Sequence, residues 1–277
     1  MLQLSVLLPL VCFACLVKLG ESLVSSGAVV GATTLKDSTA GTTALRCIGM
    51  SSVDCTPSCV QVQVISDFAC PWCYVGKARL NSAVEAFARS SPDAKVEVSF
   101  GPYMIDPRTQ PGGEDYLAYN KRRWGGDGWT ASLKRSSRKD GCEFANWVTW
   151  PNSLLAHRLQ KFAEQAGKGD EVNGLVFQTI YERGGNASDI ETLADLAAEA
   201  GLSRTDARAY LASRDGEDDV LRDDNDAKTR LNVRGVPFFV VRNKGEKSSR
   251  DDDDKKVVLN GAVGPDELLR AFSSVSS

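Results

Sequence analysis

Residues 60–101 read VQVQVISDFACPWCYVGKARLNSAVEAFARSSPDAKVEVSFG, and the fold turns on this stretch. Val60, Val62 and Val64 alternate with Gln61 and Gln63 before Ile65, the period-two pattern of a strand with one face toward a core. After Tyr74 the period changes. Val75, Leu80, Val84 and Phe87 fall near helical spacing, and Ser91-Pro92 closes the helix. Lys95 to Gly101 alternates again. Strand, helix and strand within about 40 residues predict a βαβ unit, with parallel strands and a right-handed crossover.

Cys70-Pro71-Trp72-Cys73 occupies the junction of that first strand and its helix. The first cysteine then sits at a helix N-terminus, where unpaired N–H groups and the macrodipole favour an anion. The thiolate is the nucleophilic form of cysteine, so the position activates Cys70. Cys73 follows closely enough to close a disulfide or to resolve a mixed one. Pro71 suits the first helical turn, where its missing N–H costs nothing. A static disulfide or half of a zinc site is the competing reading.

Outward from this unit, Pro102 to Asn232 shows no convincing strand. Helices are expected near Glu114–Trp124, Ser153–Gln165, Glu171–Arg183, Asp189–Glu199, Arg204–Ala212 and Asp218–Leu231. Ser188 with Glu191 reads as a capping box, and Gly167 and Gly201 as helix ends. After Gly235 the chain turns extended again in VPFFVVR and KVVLNG, and a helix starting at Pro265 ends it. Val236-Pro237 precedes a strand and fits a turn with a cis bond. The order β-α-β, helical block, β-β-α places 60–102 and 233–277 in one domain and 103–232 in a helical insertion.

Composition narrows the classes. The 277 residues carry 33 Lys+Arg against 36 Asp+Glu, a net charge of −3, which is not the basic footprint of a nucleic-acid binder. Hydrophobic residues at 42% supply a sizeable core. A single histidine rules out multi-His metal sites, and no metal or other cofactor is expected. Residues 1–22 read as a signal peptide, with an uncleaved anchor as the alternative; no other stretch is apolar and long enough to span a membrane, so none is expected in contact with one after signal removal. Residues 23–59, rich in Ser, Thr, Gly and Ala, read as a disordered spacer or a transit segment. The expected location is the secretory pathway, with a plastid reached by a bipartite signal as the alternative. Of the eight cysteines, Cys12 and Cys15 would leave with the leader, and the remaining even number suits an oxidising compartment. Cys47, Cys55 and Cys59 are candidates for a local disulfide with one thiol left over, and Cys142 reads as a buried free thiol.

Taken together, Ser66-Asp67-Phe68, Cys70 through Lys77, Asn152 with Ala156-His157-Arg158-Leu159, Gly235 through Phe239, and Asn260-Gly261-Ala262 with Pro265 through Leu269 resemble a thioredoxin-fold oxidoreductase of the DsbA type, specifically its FrnE-like branch. The resemblance runs from Val60 to Phe272. It implies an α/β protein, a thioredoxin-like four-stranded mixed sheet with a large all-helical insertion before the proline-bearing strand. It also implies dithiol–disulfide exchange on protein substrates, with a redox partner to recycle the enzyme. Cys70 would be the attacking thiol, Cys73 the resolving thiol, and Pro237 the cis-proline facing them. Val236 would offer backbone groups to an extended substrate. The glutathione-dependent kappa-type transferases and the 2-hydroxychromene-2-carboxylate isomerases share the fold, but they typically carry serine where Cys70 stands. A non-catalytic chaperone module is a third reading, and it needs neither thiol.

Three other residues are candidates for the site. His157, on the inserted block, is either a packing residue or a neighbour of the dithiol that touches substrate. Asp67, three residues before Cys70, is a strand-end polar group or an aid to proton transfer. Trp72, between the cysteines, would tune access and redox poise. Trp124, Trp129, Trp147 and Trp150 read as core or groove walls, the Lys121 to Lys139 stretch as a solvated basic face or a surface for an acidic partner, and Asn186-Ala187-Ser188 as a glycosylation sequon.

Overall fold

The computed structural model describes residues 59–244 and 256–276. The signal peptide, residues 23–58 with Cys47 and Cys55, and the acidic run Asp251–Asp254 lie outside the described residues; Cys59, read from sequence as the end of the spacer, is instead the first residue of a strand, where the alternating pattern begins.

Strand β1 (Cys59–Ser66) enters helix α1 (Pro71–Ser90), and β2 (Lys95–Pro102) returns parallel to β1 with Val62 opposite Val98. After a long excursion, β5 (Phe238–Asn243) lies antiparallel to β1, and β6 (Val257–Asn260) antiparallel to β5, giving the sheet order β2-β1-β5-β6. Helix α9 (Pro265–Ser276) ends the fold. This is the thioredoxin-like mixed sheet.

The alternation in β1 has the expected consequence. Val60, Val62 and Val64 pack with Leu80 and Phe87 of α1, Phe239 and Val241 of β5, and Leu268 and Phe272 of α9. Ile65 points to the other face, against Ala227 and Val233. The register also positions the chemistry. Ile65 pairs with Phe238, so Val236-Pro237, just before β5, lies level with the turn that follows β1.

Between β2 and β5 stand α2 (Tyr116–Trp124), α3 (Thr130–Ser137), α4 (Leu154–Gln165), α5 (Gly169–Tyr181), α6 (Ile190–Glu199), α7 (Arg204–Ala212) and α8 (Glu217–Thr229). The expected helices all form, with ends displaced by a few residues at most. Gly167 and Gly201 adopt positive φ at 69° and 80°, as helix ends require. Three details differ. The insertion is not wholly helical, because β3 (Glu114–Asp115) and β4 (Thr149–Trp150) pair as a short antiparallel ribbon. Helix α3 was not anticipated, since its sequence TASLKRSS offers only Leu133 as a buried apolar residue. The cap of α6 is Asp189, whose carboxylate accepts from Thr192 N–H at 2.8 Å. Ser188 is drawn elsewhere: its hydroxyl accepts from Asn152 N–H at 2.8 Å, and Glu191 pairs with Arg204 and Arg208.

Two motif residues hold the insertion together. Arg158 is buried, and its guanidinium donates to the carbonyls of Tyr210, Leu211, Ser213 and Asp215, satisfying the open C-terminal end of α7. Asn152 donates to Thr109 O and accepts from Leu154 N–H. The sequon is likewise part of the fold, with Asn186 Nδ2 donating to Gly112 O at 2.8 Å.

Candidate active site

Cys70 is the N-cap of α1, with φ −93° and ψ 111°, and Pro71 is the first helical residue. Its thiol is 8% exposed and donates to the carbonyl of Val236 at 3.7 Å. The Val236–Pro237 bond is cis. Pro237 is buried and its own carbonyl accepts from Gly261 N–H, while Val236 is half-buried, so it is the Val236 carbonyl that meets the sulfur. The close approach of this loop to α1 depends on Gly76. A Cβ there would stand 2.8 Å from Pro237 Cγ.

Cys73 lies deeper, at 2% exposure, with its sulfur accepting from Asp67 N–H at 3.5 Å. Burial first, and the neighbouring Cys70 second, push its thiol well above the ordinary range, so it stays protonated. The two cysteines are therefore unequal: Cys70 caps the helix against the Val236 carbonyl, and Cys73 is the more deeply buried of the two. Among the described residues, Cys59, Cys70, Cys73 and Cys142 form no disulfide. Cys142 is buried beside Tyr74 and pushed up to about 12, chiefly by desolvation.

Asp67 is 1% exposed and its carboxylate is well held. Oδ1 accepts from Ala69 N–H at 3.1 Å, and Oδ2 from Ile105 N–H at 2.7 Å. His157 comes to it from α4, with Nε2 at 3.5 Å from Oδ1 and the ring tilted against Phe68. At that separation and angle the contact is not a formed hydrogen bond. His157 Nε2 has no hydrogen-bond partner among the described residues, and neither does Asn173 Oδ1 of α5. Each such buried group costs about 1–3 kcal/mol if left alone. Trp72 is half-buried against the insertion's core.

The sequence reading missed the aromatic wall behind the dithiol. Tyr181, fully buried at the end of α5, stacks on Tyr74 at 5.4 Å and donates its hydroxyl to Phe68 O at 3.0 Å. It thereby fixes the turn that presents Cys70. Burial, then the negative charge that Cys70, Asp67 and Cys73 can carry, hold its phenol well above the usual value. No local pattern marks Tyr181, more than a hundred residues downstream. Of the tryptophans, Trp147 and Trp150 are core, Trp129 is half-buried, and Trp124 is 53% exposed.

A model of the DSBA-like thioredoxin domain matches residues 61–273. YwbO, an uncharacterized protein of Bacillus subtilis, is 28% identical over 216 residues, covering 77% of this chain and 96% of that protein. Among solved structures, a probable DsbA oxidoreductase from Streptomyces coelicolor superposes with a TM-score of 0.64 at 25% identity, over 78% of this chain and 89% of that one. A 2-hydroxychromene-2-carboxylate isomerase shares the fold, with a TM-score of 0.52 at 16% identity, over 77% and 93% of the two chains.

Proposed function

The chain belongs to the DSBA-like thioredoxin domain family, and from that premise we propose that it is a dithiol–disulfide oxidoreductase of the FrnE-like branch, acting on protein substrates. The observation that carries the reading is the asymmetric pair: Cys70 at a helix N-terminus, 3.7 Å from the Val236 carbonyl, with Cys73 protonated behind it.

Cys70 thiolate attacks one sulfur of a substrate disulfide; the substrate S–S bond breaks, a Cys70–substrate disulfide forms, and the other substrate sulfur leaves as a thiolate. Cys73 then gives up its proton and attacks Cys70, releasing the second substrate sulfur and leaving a Cys70–Cys73 disulfide. Run backwards, the same steps oxidise a substrate dithiol. Val236 supplies backbone beside the sulfur on which an extended substrate can lie, Trp72 borders the opening, and Pro237 sets the loop. A recycling partner resets the dithiol. The even cysteine count and the leader-like N-terminus support an oxidising, secretory setting, with a plastid as the alternative.

The kappa-type transferase and isomerase reading shares this fold and is separated from it by the second thiol. In Cys73→Ala the mixed disulfide has no internal exit, so substrate-linked complexes should accumulate on non-reducing gels and vanish with dithiothreitol. Cys70→Ala should form none. Trapping by Cys70→Ala alone would exchange the two roles. Trapping by neither variant, with small-molecule activity surviving loss of Cys73, would favour the transferase class.

A further inference from the structure

The stretch from Tyr116 to Lys139, which forms α2, α3 and the start of a short 3₁₀ turn, carries seven cations and one carboxylate, Asp127. The chain as a whole has a net charge of −3, so this face is opposite in sign to the rest. Among the described residues only Arg122 of the seven has a carboxylate partner, Glu114. Lys121, Arg123, Lys134, Arg135, Arg138 and Lys139 have none, and all but Lys134 are exposed. Elsewhere the insertion is built the other way: from Lys161 to Arg230 every Lys and Arg meets an Asp or Glu. Cations in a last turn suit a helix C-terminus, and α2 and α3 both use that device. It does not account for the apolar side chains beside them. Leu117 is 60% exposed, and it shares one face of α2 with Lys121 and the exposed Trp124. The Arg123 guanidinium lies 4.4 Å over the Trp124 ring, and Trp129 meets that ring edge-on at 6.4 Å, so the indole is held in place. The face is also tied to the helix that bears the dithiol. Asp140, next after Lys139, accepts from Arg79 of α1 at 2.8 Å, and Arg79 also donates to Ala262 O. Arg79 stands nine residues beyond Cys70, about 13 Å along the helix. About four residues of extended chain cover that distance.

We propose that the face formed by α2, α3 and the turn at Arg138–Lys139 binds an acidic segment of the protein whose cysteines exchange with Cys70, so that the enzyme selects acidic protein substrates. The inference rests on the disulfide-exchange reading and adds to it the substrate class. Exposed cations without partners attract carboxylates over the range of a Debye length, about 10 Å at 0.1 M salt, and speed their encounter. Arginine matches a carboxylate with two parallel hydrogen bonds, and Arg135 and Arg138 are free to make them. Trp124 and Leu117 supply an apolar hold beside the charges, the combination in which a few side chains carry most of the binding. The acidic remainder of the chain repels a nucleic acid or an anionic bilayer wherever either spreads beyond this face. A compact acidic segment meets the cations alone. Its attachment a few residues from the reacting disulfide makes its binding and the attack by Cys70 parts of one event.

The test uses the reduced full-length chain carrying Cys73→Ala, which holds the adduct, and two synthetic peptides with the same internal disulfide. One is flanked on both sides by runs of Asp and Glu, the other by the matching Asn and Gln. Adduct formation at Cys70 is followed by acid quenching and intact mass, and each rate is divided by that of the same peptide with dithiothreitol. The acidic peptide should react about ten-fold faster than the amide peptide at low salt, within the range of electrostatic steering, and the preference should fade at high salt. Adding Arg135→Gln, Arg138→Gln and Lys139→Gln together should remove most of the preference and leave the amide peptide's rate unchanged. Arg135→Lys, Arg138→Lys and Lys139→Arg together, which keep the charge, should retain most of it. Trp124→Ala should lower the rate of the acidic peptide in the same assay. Equal rates for the two peptides at low salt, or a preference that survives the three glutamines, overturns the proposal. So does sedimentation with phosphatidylserine vesicles that the three glutamines abolish while the peptides react equally, since the face would then serve a lipid surface. Absence of any adduct with either peptide overturns the exchange reading itself, a different and distinguishable result.

Discussion

The two large hydrophobic cores of the fold are built from different materials. Beneath the sheet, aliphatic side chains from β1, β5, α1 and α9 interlock, with Phe87 and Phe272 at 5.7 Å as an aromatic pair. Where the insertion packs on the start of α1, rings dominate: Tyr74 of α1 with Phe144, Trp147, Phe177 and Tyr181 of the insertion stack or meet edge to face, and Tyr119 lies flat on Trp150 at 4.0 Å. Both cysteines and Phe68 belong to the second core. The sheet determines where Cys70 stands relative to Val236, whereas the insertion determines the medium around it, excluding water from Cys73 and delivering His157 and Tyr181. Position and environment thus come from separate halves of the fold.

Damage to the first core should cost the most stability and change the thiols least. Phe272→Ala removes a fully buried ring and should destabilise by about 3–5 kcal/mol in chemical denaturation, while adduct formation at Cys70 in the folded protein keeps its rate. A parallel loss of thiol reactivity would erase the division between the cores.

The second core should reveal itself through pH. Burial raises Cys73, and holds Cys142 at about 12, in the folded protein. In the unfolded chain both ionise near the ordinary thiol value of about 8.5. Below that value neither state loses a proton and the contribution is level. Above it the unfolded chain sheds protons that the folded chain keeps, so stability of the reduced protein falls, by up to about 1.4 kcal/mol per pH unit for each thiol. Denaturation of reduced protein at stepped alkaline pH should show this slope, and Cys73→Ala should lessen it by one thiol's share. An identical slope in Cys73→Ala would mean that the insertion does not shield that sulfur.

The smallest effect expected is from Tyr181→Phe, which keeps the stack and removes only the hydroxyl on Phe68 O. A loss of about 1 kcal/mol in the same measurement would match one buried hydrogen bond. No loss would remove Tyr181 from the support of the Cys70 turn.

The same division governs what the sequence reveals. The sheet and its attachments were legible because their signals are local: alternation in Val60–Ile65, a helix opening at Cys70-Pro71, a proline just before Phe238. The long helices of the insertion were legible from period alone. Helix α3 was not, because its stability comes from one buried leucine and its neighbours rather than from a stripe, and β3 with β4 are too short to show a period. Ser188 looked like a cap because its rival partner, Asn152, is distant in the chain. Within the site, Asp67 and His157 each stood out singly, but their meeting is a tertiary contact across 90 positions and left no trace in either neighbourhood. Tyr181 and Asn173, on α5, show the same limit.

Gly76 carries a consequence of its own. A glycine inside α1 weakens that helix by about 1 kcal/mol relative to alanine, yet here the bare backbone lets Pro237 rest on it. A contact of this kind has no torsional alternatives on the helix side, since there is no side chain to rearrange. The gap between the nucleophilic sulfur and the loop opposite is therefore held like a machined clearance, set by two backbones and one ring, and it should vary little from molecule to molecule even while the thiols change partners.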